Sequence, residues 1–135
     1  MKVIECPRDA MQGLEKFIPT EKKIEYLNQL LQVGFDTLDC GSFVSARAIP
    51  QLKDTADVLR QLNTSSTKLL VIVANTRGAE EASGFESVTY LGFPLSISET
   101  FQQRNTNKSI AEALNTVEQM QEICLRCNKQ LVTYI

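Results

Sequence analysis

Leu69-Leu70-Val71-Ile72-Val73 is an unbroken apolar run. A strand with one wet face would alternate polar and apolar residues. This run does not, and it reads as a parallel strand covered on both faces. Parallel sheets are built from strands separated by helices, so the flanking sequence should alternate between the two. It does so on the N-terminal side. The polar connector Asn63-Thr64-Ser65-Ser66-Thr67 precedes the run, and Leu52, Ala56, Leu59 and Leu62 mark one face of a helix that Ala48-Ile49-Pro50 begins. Residues 35–41 read as a strand. Before them Ile24, Leu27, Leu30 and Leu31 give a second amphipathic helix, capped by Thr20 and closed by Gly34. Residues 2–5 form a short first strand, and Gly13 and Pro19 bound an irregular loop.

On the C-terminal side, Asn75-Thr76-Arg77-Gly78 closes the run and residues 79–83 form a short helical segment. Residues 87–93 read as a fourth strand, followed by Pro94 and a polar stretch entering another short helix. Ser109 and Glu112 have the spacing of a capping box, which opens a long helix through Leu114, Val117, Met120 and Ile123. Residues 130–135 form a fifth strand. Five alternations predict an α/β fold with a parallel sheet and right-handed crossovers, either an open doubly wound sheet or a (β/α)8 barrel. No Gly-rich phosphate loop follows the first strand, against the nucleotide-binding version. A complete barrel needs about 250 residues, and the chain has 135. Because the last strand has no helix to cover the sheet beyond it, the expectation is the N-terminal five-strand part of a TIM barrel. Residues 1–135 would then be one partial catalytic domain, cut after its fifth strand.

At 43% hydrophobic and 22% charged, the chain can bury one core. A net charge of -2 with no basic stripe excludes nucleic acid and anionic membrane as expected partners. No apolar run reaches the roughly 18 residues of a membrane span and no leader pattern is present, so a cytoplasmic protein is expected. Cys6, Cys40, Cys124 and Cys127 read as reduced thiols, and Cys124 and Cys127 as helix-packing residues. There is no His, which removes the commonest metal ligand and general base from this chain's own chemistry.

The polar residues gather at strand ends: Arg8, Asp9 and Gln12 after the first strand, Asp39 and Ser42 after the second, Asn75 and Arg77 after the third, Ser96, Ser98 and Glu99 after the fourth. In a barrel those ends converge on one mouth, where α/β enzymes keep their sites. An Arg8-Asp9 surface ion pair is the alternative reading of the first cluster.

Two of these stretches carry a resemblance. Pro7-Arg8-Asp9-Ala10-Met11-Gln12, and Leu38-Asp39-Cys40-Gly41-Ser42-Phe43-Val44-Ser45 with Pro50-Gln51, resemble the two signatures of the hydroxymethylglutaryl-CoA lyases. Val73-Ala74-Asn75, Ser96-Ile97-Ser98-Glu99-Thr100-Phe101 and Asn105-Thr106-Asn107 continue the match. The resemblance implies a carbon–carbon lyase that cleaves 3-hydroxy-3-methylglutaryl-CoA to acetyl-CoA and acetoacetate in a metal-assisted retro-Claisen reaction. It implies a divalent cation, Mg2+ or Mn2+, with Asp9 as a metal ligand, and Arg8 and Asp39 as catalytic residues. Gln12, Ser42, Asn75, Ser98, Glu99 and Asn107 would then bind the acyl-CoA substrate or shape the mouth. The chain departs from the family pattern at Ala10, at Asp39, where a Glu is usual, at Gly13-Leu14 and at Ala46-Arg47. The family's metal-binding His pair and its mobile Cys loop lie later than these signatures, so the 135-residue chain is expected to be inactive alone. A related metal-dependent aldolase or acyl-CoA condensing enzyme, and a non-catalytic half-barrel pairing through open strand edges, are the alternative readings. Open edges also predict a homo-oligomer.

Overall fold

The computed structural model describes all of residues 1–135. Its elements are β1 (Ile4–Glu5), α1 (Pro7–Gln12), α2 (Thr20–Leu31), β2 (Thr37–Ser42), a 3-10 turn (Pro50–Leu52), α3 (Thr55–Leu59), β3 (Lys68–Ile72), α4 (Thr76–Ser83), β4 (Val88–Pro94), α5 (Glu99–Thr106), α6 (Ile110–Arg126) and β5 (Gln130–Tyr134). The strands form one sheet in the order β1-β2-β3-β4-β5, every neighbouring pair parallel. That order rules out the doubly wound alternative, in which the strand order reverses part-way. With consecutive right-handed crossovers, the helices all fall on one face and the sheet curls into half of a barrel.

The two faces of the sheet are chemically distinct. Leu38, Cys40, Leu69, Val71, Val73, Leu91 and Phe93 pack outward against Leu27, Leu31, Leu59, Ala79, Met120 and Ile123 of the helices, as one buried core. Gly92 identifies the inner face. A Cβ there would lie 2.8 Å from Ile72 Cδ1 and 3.0 Å from both Leu70 Cδ2 and Tyr134 Cε2, so these side chains converge over a glycine that makes room for them.

Several local features differ from the sequence reading. The Arg8 cluster, read only as the end of the first strand, lies on a helix. Pro7 occupies the first helical turn, where its missing N–H costs nothing, and residues 7–12 wind into a short helix ending at Gly13. Thr20 is not a cap, because Pro19 holds that position and the Thr20 hydroxyl instead donates to Asp54 Oδ2 at 2.8 Å. The helix expected to run on from Pro50 is broken into the 3-10 turn and α3, and buried Asp54 lies at the break, paired with Lys23 Nζ at 2.6 Å. The capping box at Ser109 and Glu112 forms as expected.

Candidate active site

β2 carries the buried half of the site. Its register against β3 shifts between Asp39 and Gly41, a bulge at Cys40. Gly41 is required where the strand meets α3, because a Cβ there would lie 2.5 Å from Thr55 Cγ2. Asp39 is fully buried. A carboxylate so placed needs a partner, and Arg8 supplies it from α1, 31 residues away in sequence. Arg8 Nη2 is 2.6 Å from Asp39 Oδ2, and Arg8 Nε lies 3.2 Å from each Asp39 oxygen. On the other side of the guanidinium, Nη1 donates to Asp9 Oδ1 and to Gln12 Oε1, each at 3.1 Å. Gln12 can do this because it sits one helical turn beyond Arg8.

The fork that would face a ligand side by side is thus turned toward Asp39. A guanidinium has five N–H donors; the one on Nε, both on Nη1 and one on Nη2 are engaged, which leaves a single Nη2 donor free. Burial pushes the Asp39 carboxyl upward, opposed by its bonds to Arg8. Burial also disfavours the Arg8 cation, but the Asp39 bond and charge outweigh it and move Arg8 upward, so it stays charged. Asp9 differs from Asp39 in exposure: 73% of its side chain is open to solvent.

Tyr134, at the end of β5, lies over Gly92 on the inner face, within reach of the Asp39 charge, and the sequence reading missed it. Burial, then the Asp39 carboxylate, push its phenol up to about 12. The available signal was its position, a hydroxyl at the end of a strand like the other polar groups, but the fifth strand was read without a polar end.

The remaining residues expected at the mouth are occupied locally. Ser42 Oγ accepts from the Val44 amide at 3.2 Å. Asn75 caps α4, its Oδ1 accepting from Gly78 N at 2.9 Å, and Ser98 caps α5, accepting from Phe101 N at 3.4 Å. Glu99 accepts from the Ile110 amide at the start of α6. Asn107 ends α5 in the left-handed conformation, φ 54°, with its Oδ1 accepting from Gln103 Nε2. The structure therefore joins Asp9, Gln12 and Asp39 through Arg8, ties Ser42, Asn75, Ser98 and Asn107 to their own turns and helix ends, and ties Glu99 to the start of α6. Cys124 packs in the core.

No family model matches the chain. Individual proteins do. Over 124 residues it is 35% identical to the cytoplasmic 3-hydroxy-3-methylglutaryl-CoA lyase of Rattus norvegicus, covering 89% of this chain and 35% of that protein. It is 32% identical over 132 residues to a hydroxymethylglutaryl-CoA lyase of Bacillus subtilis, covering 96% of this chain and 43% of that protein. The crystal structure of the Bacillus subtilis HMG-CoA lyase superposes with a TM-score of 0.92 at 30% identity, over 98% of this chain and 45% of that one. The chain is a relative of the hydroxymethylglutaryl-CoA lyases. An HMG-CoA lyase from Acinetobacter baumannii, solved with coenzyme A and 3-methylmalate, matches with a TM-score of 0.91 at 30% identity, over 98% of this chain and 43% of that one.

The half-barrel is that of the N-terminal part of the TIM barrel in these lyases, and the chain spans less than half the length of the lyases it matches. Lyases named as cytoplasmic and as mitochondrial are both among them. No helix is long and apolar enough to cross a membrane.

Proposed function

We propose that this chain supplies the N-terminal five-strand part of an acyl-CoA lyase site, of the type that cleaves 3-hydroxy-3-methylglutaryl-CoA to acetyl-CoA and acetoacetate. The observation that carries the reading is the Arg8 guanidinium, bonded to Asp39, Asp9 and Gln12 with one N–H left over. Breaking the carbon–carbon bond of such a substrate leaves negative charge on the departing thioester enolate. A cation fixed before the reaction starts stabilises that charge without reorganisation, and Arg8 is proposed in that role through its free Nη2 donor. Asp39 is proposed as the residue that keeps the guanidinium in place. Ser42, Asn75, Ser98, Glu99 and Asn107 are proposed to shape the mouth by ordering the turns and helix ends that surround it.

The resemblance also implies a divalent cation, Mg2+ or Mn2+. Asp9 is the open carboxylate of the cluster, and no three Asp, Glu or Cys side chains come together to hold an ion. The residues present do not fit a metal centre by themselves. The most this chain offers is one ligand, Asp9.

The purified chain, given the CoA thioester and Mg2+ or Mn2+, is expected to produce no acetoacetate. Residues 1–135 joined to the remaining portion of the Bacillus subtilis lyase are expected to produce it, and Arg8→Met or Asp9→Asn in that chimera to abolish it. A folded, inactive chimera beside an active parent overturns the reading. Action in the cytoplasm is proposed on the cytoplasmic relatives alone.

Association is proposed from the unpaired outer edges of β1 and β5 and the exposed Ile4 and Ile135 beside them. Sedimentation showing a monomer at all concentrations would remove it.

A further inference from the structure

Residues 13–19 join α1 to α2 without secondary structure. Within residues 15–18, every backbone hydrogen bond goes to one side chain, that of Gln51 in the 3-10 turn after β2. Gln51 is 4% exposed. Its amide donates to Leu14 O at 3.1 Å and Lys16 O at 3.0 Å, and its carbonyl accepts from Ile18 N at 2.8 Å. Gln51 is itself pinned from below. Lys23, 2% exposed, donates to the Gln51 backbone carbonyl and to Asp54 Oδ1 at 2.6 Å. From above, the Phe17 ring covers the ammonium groups of Lys23 at 4.1 Å and Lys53 at 4.7 Å from its centroid.

What this clamp holds is the carrier of Arg8. A six-residue helix with no side-chain cap is too short to be stable on its own. Its C-terminal flank is residues 13–19, and Gln12 lines the same small cavity as Gln51, together with Leu14, Glu15, Phe17 and Pro50. We propose that Gln51 is a positioning residue for the site: by fixing residues 14, 16 and 18 it places α1 so that Asp9 and Gln12 hold one side of the Arg8 guanidinium while Asp39 holds the other. The proposal rests on Arg8 being the site's fixed cation, and its test uses no substrate. A failed lyase assay and a failed positioning role therefore show up in different experiments.

The test compares Gln51→Leu, which removes all three bonds at similar volume, with Gln51→Glu, which keeps the acceptor for Ile18 N. In the 135-residue chain, hydrogen exchange at Arg8 Nε–H is followed by NMR, and cleavage after Lys16 by limited trypsin digestion. Gln51→Leu is expected to speed both by about tenfold or more, with β3 amides still protected, and Gln51→Glu to fall between it and the parent. Ser109→Ala, which weakens the distant α6 cap, is expected to leave Arg8 exchange unchanged. Faster cleavage after Lys16 with unaltered Arg8 exchange in both Gln51 variants overturns the proposal, as does equal acceleration by Ser109→Ala. Should Gln51→Leu not fold, Gln51→Glu decides alone: exchange at the parent rate overturns the proposal, faster exchange upholds it.

Discussion

The C-terminal ends of β1 and β2 and those of β3 and β4 look alike in the sequence, each an apolar strand giving way to two or three polar residues, but the molecule uses them differently. After β1 and β2 one contact crosses elements, Arg8 of α1 to Asp39 of β2, while Asp9 and Gln12 hold the same guanidinium from Arg8's own helix and Ser42 bonds the nearby Val44 amide. After β3 and β4 the partners are nearer in sequence, Asn75 to Gly78 and Ser98 to Phe101 three residues on, and Glu99 to Ile110 across the turn from α5 to α6. A strand-end cluster is thus two things at once, a site and a set of helix ends, and the difference lies in whether the partner is local. Exposure separates the distant pair from the locally bonded residues after β3 and β4, though Asp9 and Gln12 beside Arg8 are themselves exposed. Asp39 is fully buried and Arg8 nearly so, whereas Asn75, Ser98 and Glu99 are exposed.

The largest break in that comparison comes from Arg8→Met. It leaves Asp39 buried without a counter-charge, a loss of about 3–5 kcal/mol in chemical denaturation. The sign of its pH dependence is fixed. An unpaired buried carboxyl titrates above its unfolded value of about 3.9, so the folded variant favours the neutral acid. The deficit is therefore smallest below that value and grows as pH rises through the higher folded one. A deficit as large in acid as at neutral pH would mean that Asp39 is not the group left stranded. Asn75→Ala is the matching change at the other kind of strand end. It removes one helix cap, for about 1 kcal/mol, and combined with Arg8→Met its effect is expected to add, because the two sites share no partner. A coupling beyond about 0.5 kcal/mol would show that the two ends are energetically one network.

What was legible in the sequence follows the same line between local and distant. The run at residues 69–73, the helix faces and the capping box at Ser109 and Glu112 are written within a few residues, and the structure has them. Arg8, Asp9, Gln12 and Asp39 could be nominated from position and resemblance, but not their arrangement. That Arg8 spends its fork on Asp39 is a contact between residues 31 apart. The helical winding of residues 7–12 is only a turn and a half, too short for periodicity to reveal. The break at Asp54 depends on Lys23 and Thr20, more than 30 residues upstream, and the clamp on residues 13–19 depends on Gln51, which the resemblance includes but whose partners lie more than 30 residues away.

Tyr134 tests the comparison at its finest, since it ends β5 yet caps no helix. Its phenol is pushed to about 12, by burial first and then by the Asp39 carboxylate. Removing that charge with Asp39→Asn should bring the phenol down but not to the ordinary value near 10, because burial remains. The sign for stability follows from the same shift. A phenol whose folded value lies above the unfolded one contributes fully below pH about 10, and that contribution drains away as pH rises through about 12. The phenolate absorbance, followed in pH jumps faster than unfolding and assigned by its disappearance in Tyr134→Phe, measures the change directly. A titration that Asp39→Asn leaves in place would separate Tyr134 from the Arg8 cluster and return it to sheet packing. A downward shift would make β5 a third strand contributing to the same mouth, reached across the inner face through the gap that Gly92 leaves open.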